Sequence, residues 1–132
     1  MALRWRNILP MTDPTPPRLC LRLVFGDDAM FGPGKAELLE RIRDTGSISA
    51  AGRQMQMSYK RAWTLVETLN AIFREPLVDS TRGGPKGGGA QLTAAGEAVL
   101  AQYRNLEQVV LIAGSPQIDG LRAMLRDIPK QK

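Results

Sequence analysis

Apolar residues alternate along the first ordered segment and then recur at helical spacing. Alternation over 18–25 predicts a strand with one apolar face, carried by Leu19, Leu21, Leu23 and Phe25. A loop is predicted over 26–31. Gly32 and Pro33 then suit the N-cap and first position of a helix that ends near Thr45, with Gly46 as its C-cap. The buried stripe of this helix consists of Leu38, Leu39 and Ile42.

Two further helices are predicted close together, separated by a tight turn at Gln56 and Met57. Ser47 is a favourable N-cap for the first, whose inner face carries Ile48, Ala51 and Met55. Ser58 caps the second, in which the apolar residues at helical spacing are Ala62, Leu65, Leu69 and Ile72. Pro76 stops it.

Two short strands, 77–81 and 90–92, are predicted to flank a loop with five glycines in the eight residues 82–89. Thr93 then caps a long final helix with Val99, Leu100, Tyr103, Leu106 and Val110 inside, ended by Gly114 and Pro116. The tail holds at most one short helix around Leu121, Met124 and Leu125. This order predicts a winged helix-turn-helix, an α+β fold that is mainly α, with a small three-stranded sheet.

Composition narrows the class of protein. The 132 residues suit one domain, which we expect at 18–113, between a flexible N-terminal arm at 1–17 and a tail at 114–132. The chain has no histidine and one cysteine, which excludes histidine-based catalysis, an internal disulfide and the usual zinc sites. The carboxylates form no convergent pair, so we expect no enzyme. No apolar run is long enough to cross a membrane, and no export signal is evident, so a cytoplasmic protein is predicted.

Positive charge is concentrated in two acid-free windows. No acid lies between Asp44 and Glu67 or between Asp79 and Glu97, and the cations in these windows are Arg53, Lys60, Arg61, Arg82 and Lys86. Their five charges equal the net charge of +5 of the whole chain. Such windows favour an anionic partner.

The third predicted helix opens with Ser58, Tyr59, Lys60 and Arg61, a composition that suits DNA. The first residues of a recognition helix meet base edges in the major groove, and Lys60, Arg61 and Thr64 fall on its solvent face. We expect Tyr59 to be a further candidate. The hydroxyls of Ser47, Ser49 and Ser58 suit phosphates. The competing interpretation is an ordinary helical hairpin with a solvated basic face.

Two residues depart from a typical helix-turn-helix. Gly52 stands where alanine is usual and costs about 1 kcal/mol of helix propensity. Gln56 stands in the turn where glycine is favoured, so we expect it in a left-handed conformation. Both predict a less rigid unit.

The glycine-rich segment suits the tip of a wing, where Arg82 and Lys86 would reach backbone phosphate or the minor groove. It lacks the GK[ST] pattern of a nucleotide-phosphate loop, as does the GPGK around Lys35, where Ala36 replaces the hydroxyl residue. The alternative is a loop without function.

Two aromatic side chains and the single thiol are further candidates for a functional role, and for each a purely structural role is favoured. Tyr59 and Trp63 lie four residues apart, which permits stacking on unpaired bases, but core anchoring is favoured. Cys20 is predicted to be an inert, half-buried thiol in a strand.

The run GSISAAGRQMQMSYKRAWTLVETLN and the later run EPLVDSTRGGPKGGGAQLTAAGEAVL resemble the N-terminal domain of the ModE family of molybdate-responsive transcriptional regulators. That domain is similar to the LysR-type DNA-binding domain. The resemblance covers about 19–111 and implies binding of double-stranded DNA. Recognition of palindromic sites by such modules, together with an apolar stripe on the final helix at Val99, Leu106, Val110 and Leu111, predicts a homodimer held by that helix.

Residues 114–132 are too few to form the family's molybdate-binding domain, so a stand-alone DNA-binding domain is expected. No cofactor is predicted, and molybdate is implied by the resemblance only. The rival hypothesis is a winged-helix module for protein–protein interaction or dimerisation that does not touch DNA.

Overall fold

The computed structural model describes residues 17–81 and 89–126. Within these ranges the chain forms five helices and four short strands. In order they are β1 (Leu23–Val24), β2 (Met30–Phe31), α1 (Pro33–Thr45), α2 (Ile48–Gln54), α3 (Tyr59–Ile72), β3 (Val78–Thr81), β4 (Gly89–Leu92), α4 (Ala94–Ala113) and α5 (Ser115–Ala123). This order confirms a mainly helical α+β fold of the winged helix-turn-helix type.

Helix α1 begins and ends as predicted. Pro33 occupies its first turn, and Gly46 ends it in the left-handed conformation with φ of 72°. The Gly46 N–H donates to the carbonyl of Ile42 at 2.8 Å. Because glycine adopts positive φ without steric cost, this C-cap turns the chain directly into the helix-turn-helix.

The first strand differs from the prediction. Only Leu23 and Val24 form β1, which pairs antiparallel with β2 inside the segment expected to be a loop. A bond from the Phe25 N–H to the Ala29 carbonyl at 2.7 Å closes this hairpin. Leu21 is fixed instead by the Tyr103 hydroxyl, which donates to its carbonyl at 2.6 Å. Cys20 is exposed rather than half-buried, because the regular strand begins three residues after it.

The core lies where α1 meets α2, α3, α4 and the wing. Its largest fully buried side chains are Phe31, Leu38, Leu39, Ile42, Leu69 and Leu77. Phe31 contacts the Tyr103 ring edge-on, with ring centroids 5.0 Å apart. In α3 the buried residues are Ala62, Val66 and Leu69. Val66, which is not in the predicted stripe, is therefore buried, whereas Leu65 packs only at the margin of the core.

Helix α4 is fastened to α1 by an ion pair. Arg104 donates from Nε and Nη2 to the two carboxylate oxygens of Glu40, at 2.9 and 2.7 Å, and from Nη1 to Glu107 at 2.8 Å. Hydrogen bonding from Arg104 holds the pKa of Glu40 below its ordinary value. This bidentate pair ties the middle of α4 to α1.

The wing strands β3 and β4 pair antiparallel, from Val78 opposite Leu92 to Thr81 opposite Gly89. The expected three-stranded sheet is wrong for the described residues, which form two separate two-stranded sheets. In place of a third strand, the Ala90 N–H donates a single bond of 2.9 Å to the Gly46 carbonyl. The segment around Gly46 turns between α1 and α2 and is too short to form a strand with further hydrogen bonds to β4.

Helix α4 ends at Ala113, and α5 begins at Ser115 with Pro116 in its first turn. The tail helix therefore starts earlier than predicted. None of its residues is buried. No helix among the described residues has the length and apolar character needed to cross a membrane.

Candidate nucleic-acid interface

Serine side chains set the start of both helices of the helix-turn-helix. The Ser47 hydroxyl accepts from the Ala50 N–H at 3.0 Å, and the Ser58 hydroxyl accepts from the Arg61 N–H at 3.1 Å. Ser49 accepts from the Arg53 guanidinium at 2.9 Å. Because each hydroxyl uses an acceptor lone pair in these bonds, its proton is still able to donate to a phosphate.

The turn between α2 and α3 is tight, and both unusual residues contribute to it. Gln56 has φ of 60°, which confirms the left-handed conformation predicted for it. The Met57 N–H donates to the Gly52 carbonyl at 2.9 Å. A Cβ at Gly52 would lie 2.9 Å from the Cβ of Ala62. Gly52 therefore lets α2 and α3 approach closely. The prediction that it makes the helix-turn-helix less rigid did not include this packing role.

The first turns of α3 present polar side chains to solvent. Lys60, Arg61 and Thr64 are exposed, whereas Ala62 on the opposite side is buried. Within the part of the chain that the structure describes, neither cation has an ion-pair partner. Arg41, Arg43 and Arg104, by contrast, each contact a carboxylate. The charges of Lys60 and Arg61 are thus available to an external anion.

Tyr59 and Trp63 stack on each other, with ring centroids 6.3 Å apart and planes 11° from parallel. Tyr59 is 56% exposed, so the expectation that it anchors the core is wrong. Tyr59 is the first residue of α3 and stays exposed at the end of the helix, whereas Trp63, one turn further on, packs partly against the core.

The aromatic pair forms one wall of a cleft of about 410 Å³ between the helix-turn-helix and the wing. Its hydroxyl groups come from Ser47 and Ser49 at the start of α2 and from Ser80 and Thr81 of β3. Three of the predicted contact residues, Ser47, Ser49 and Tyr59, therefore lie together and next to the wing. Arg61 lines a different cleft. Arg82 and Lys86 lie outside the described residues.

Asn70 connects the recognition helix to the wing, and sequence analysis missed it. Its Oδ1 accepts from the N–H groups of Leu77 and Val78, at 2.8 and 3.1 Å. Its Nδ2 donates to the Val78 carbonyl at 3.2 Å. The only signal in the sequence is a polar amide beside Leu69 on a helix whose inner face is otherwise apolar.

A second connection joins the wing to α4. The Thr93 hydroxyl accepts from the Gly96 N–H at 3.0 Å, as an N-cap does, and donates to the Pro76 carbonyl at 2.7 Å. A Cβ at Gly96 would overlap the Leu77 carbonyl oxygen. Only glycine permits this contact. The base of the wing is thus held by α3 on one side and α4 on the other.

No group of three or more potential metal-ligating side chains occurs among the described residues.

Comparisons with known proteins agree with this geometry. Residues 34–97 match the bacterial regulatory helix-turn-helix protein, lysR family. The chain is 46% identical over 79 residues to the molybdenum-pterin-binding protein MopB of Rhodobacter capsulatus, covering 60% of this chain and 29% of MopB. It is 45% identical over 73 residues to the molybdenum transport protein ModE of Azotobacter vinelandii, covering 55% and 27%.

A third relative is the DNA-binding transcriptional dual regulator ModE of Escherichia coli (strain K12), 36% identical over 77 residues, or 58% of this chain and 29% of that protein. The chain thus spans less than a third of the length of these curated relatives. What it shares with them includes the helix-turn-helix.

Proposed function

We propose that this chain, which carries a LysR-type helix-turn-helix domain over residues 34–97, is a DNA-binding transcriptional regulator. The observation that carries the proposal is the exposed start of α3, where Lys60 and Arg61 have no carboxylate partner among the described residues. An unpaired basic helix end beside a wing suits the major groove of a duplex.

In this proposal α3 enters the major groove and its first residues contact base edges. Arg61 offers a planar fork that can bond the two acceptors of one guanine, which lysine cannot reproduce. Lys60, Thr64 and the exposed ring of Tyr59 reach neighbouring positions. The hydroxyls of Ser47, Ser49 and Ser58 bind phosphates, because backbone contacts set the register of a reading helix.

Arg82 and Lys86 would add phosphate or minor-groove contacts from the wing. Support for this comes from β3 and β4, whose antiparallel pairing ends at Thr81 and Gly89, directly on either side of the segment that carries both cations.

We also propose that the protein acts as a cytoplasmic homodimer without enzymatic activity. The long helix α4 would form the interface, and the side chains that support this are Val109 and Ile112, which are 51% and 73% exposed. These residues replace the predicted stripe as candidates, since all four of its members are half-buried within the chain: Val99, Leu106, Val110 and Leu111. Sedimentation should give a dimer for the wild type and a monomer for Ile112→Glu.

A link to molybdenum is proposed from the names of the relatives alone. We infer regulation of genes for molybdenum homeostasis, without assigning an oxyanion site to this chain. Calorimetry with molybdate should therefore give no saturable heat at micromolar concentration. A one-to-one titration would contradict this and would locate an oxyanion site within this chain or its dimer.

The alternative, a protein-interaction module, is less well supported. An adaptor surface has no need of an acid-free helix end, and here that end carries two exposed cations, Lys60 and Arg61, that have no ion-pair partner among the described residues. Titration of random duplex DNA at increasing salt separates the two. Neutralising several phosphates should weaken binding by orders of magnitude between about 50 and 200 mM salt. An affinity that does not change with salt concentration, or the absence of binding, would refute the proposal that the chain binds DNA.

Selection of bound sequences from a random pool would then supply the preferred duplex for a second test. Arg61→Ala should cost about 1–3 kcal/mol on that duplex and much less on a scrambled one. Arg82→Ala is the matched control, which should weaken both duplexes equally and lower the salt slope by about one unit. Equal losses for Arg61→Ala on both duplexes would make Arg61 a phosphate contact and move base reading to Lys60, Tyr59 or Thr64.

A further inference from the structure

A second cleft lies on the other side of α3, between the β1–β2 hairpin, the start of α1 and the turn of the helix-turn-helix. Its volume of about 490 Å³ is within the range of small-molecule sites. Met30 from β2 and Met55 and Met57 from the turn form an apolar floor. All three are only half-buried. We name this feature the methionine cleft.

Methionine suits a binding floor because its unbranched thioether adapts to ligands of different shape. The three side chains come from two separate segments, 25 residues or more apart, and meet only in the folded chain. Leu65, at the margin of the core, extends the apolar surface. A ligand with an aliphatic body would complete the burial of these side chains.

The charged residues that line the methionine cleft are all basic: Arg22, Lys35 and Arg61. Arg22 and Arg61 are exposed and have no ion-pair partner among the described residues. Lys35 donates from Nζ to the Met30 carbonyl at 2.9 Å, which holds its ammonium at the cleft and leaves two of its protons for a ligand.

Charge and polarity together select the occupant. Three cations without a lining acid disfavour a metal cation, although the exposed thiol of Cys20 and the thioethers are close by. An inorganic anion would satisfy the cations but leave the apolar floor in water. An organic carboxylate with an aliphatic body satisfies both parts.

We propose that the methionine cleft is an effector site for a small aliphatic carboxylate. Its head group would bind Lys35, Arg22 and Arg61, and its body would cover the methionines. Because Arg61 is also the main candidate for base reading, a ligand that engages it would compete with DNA. This coupling rests on the proposed function, and it is reciprocal, so DNA would weaken ligand binding by the same factor.

Binding is tested without DNA by NMR of the full chain labelled with ¹³C at the methionine methyls. Decanoate, kept below its critical micelle concentration, should shift the methyl signals of Met30, Met55 and Met57 along one saturable curve. Met124 on α5 is the internal reference, since it is 82% exposed and does not line the cleft. Decanol and sulfate, which lack the charge and the tail respectively, should not saturate these shifts.

Lys35→Gln removes the charge but keeps a donor for the Met30 carbonyl, so the fold should persist. Loss of a charged hydrogen bond should weaken decanoate binding about tenfold. Arg74→Gln, an exposed cation outside the cleft, is the matched control and should leave the curve unchanged. No saturable shift in the wild type, equal shifts at Met124, or an equal effect of both substitutions would overturn the proposed site.

Competition is measured separately, by titrating DNA at fixed ionic strength with and without decanoate. Decanoate should weaken binding to the wild type and affect Lys35→Gln much less. Saturable methyl shifts with no effect on DNA affinity would support the site and refute the coupling. Failure of DNA binding without any decanoate would refute the proposed function and leave the NMR result standing.

Discussion

Asn70→Ala should be strongly destabilising, because one side chain closes the gap between α3 and the base of the wing. The amide accepts from the N–H groups of Leu77 and Val78 and donates to the Val78 carbonyl. Leu77 is fully buried and Val78 nearly so. Removing the amide thus leaves two donors and one acceptor with little access to water.

The magnitude follows from the cost of unsatisfied groups. Each buried donor or acceptor that loses its partner costs about 1–3 kcal/mol. Asn70 itself is half-buried, so water would reach part of the space it vacates. We therefore expect a loss of about 2–4 kcal/mol in the free energy of unfolding, a large part of the roughly 5–15 kcal/mol typical of a domain.

Urea unfolding followed by far-ultraviolet circular dichroism measures this loss. Thr68→Ala is the matched control, since its hydroxyl bonds only the Thr64 carbonyl in the same helix and its removal should cost about 0.5 kcal/mol or less. Asn70→Asp should fall between the two, because it keeps both accepted bonds but turns a carboxylate oxygen toward the Val78 carbonyl. Equal midpoints for Asn70→Ala and Thr68→Ala would refute the reasoning.

Three further changes test other parts of the domain. Gly52→Ala would place its Cβ 2.9 Å from that of Ala62, so thermal melts should show a loss of about 1–3 kcal/mol despite better helix propensity; a gain in stability would contradict the packing role. Gln56→Gly should stabilise by about 1 kcal/mol, since φ of 60° favours glycine, and Gln56→Ala, as control, should not. The lowered pKa of Glu40 means that its bond to Arg104 stabilises the fold above the ordinary pKa of 4.5 and is lost as pH falls through the lower folded value. Urea midpoints of Glu40→Gln should therefore fall less with acidification than those of the wild type, and parallel curves would contradict this.

Local signals account for most of what the sequence could predict. Ser47, Ser58 and Thr93 each cap a helix through a bond to an N–H three residues later, so both partners lie within one short stretch. Gly46 and Gln56 adopt positive φ where the chain must reverse between predicted helices. Such features depend on neighbouring residues alone, and a single sequence contains them all.

The missed features depend on contacts between distant segments. The partners of Asn70 lie seven and eight residues away, beyond the end of its own helix. The role of Gly52 appears only when α3 packs against it. Tyr59 lies three and seven residues before Ala62 and Val66 and so shares their side of α3, yet it is 56% exposed, because it stands at the first residue of the helix, beyond the reach of the core.

The distribution of charge depends both on local sequence and on contacts between distant segments. Where the sequence mixes signs, some of the cations form ion pairs: Arg41 with Glu37, and Arg104 with Glu40 and Glu107. Where it excludes acids, the described cations lack carboxylate partners, and Arg53 contacts only a serine hydroxyl. Pairing over one helical turn can be read from sequence spacing, but the Arg104–Glu40 pair, 64 residues apart, cannot. An acid-free window is the more transferable signal, because it removes nearby partners whatever the tertiary fold. Because no carboxylate neutralises them, unpaired cations in such a window can attract an external anion.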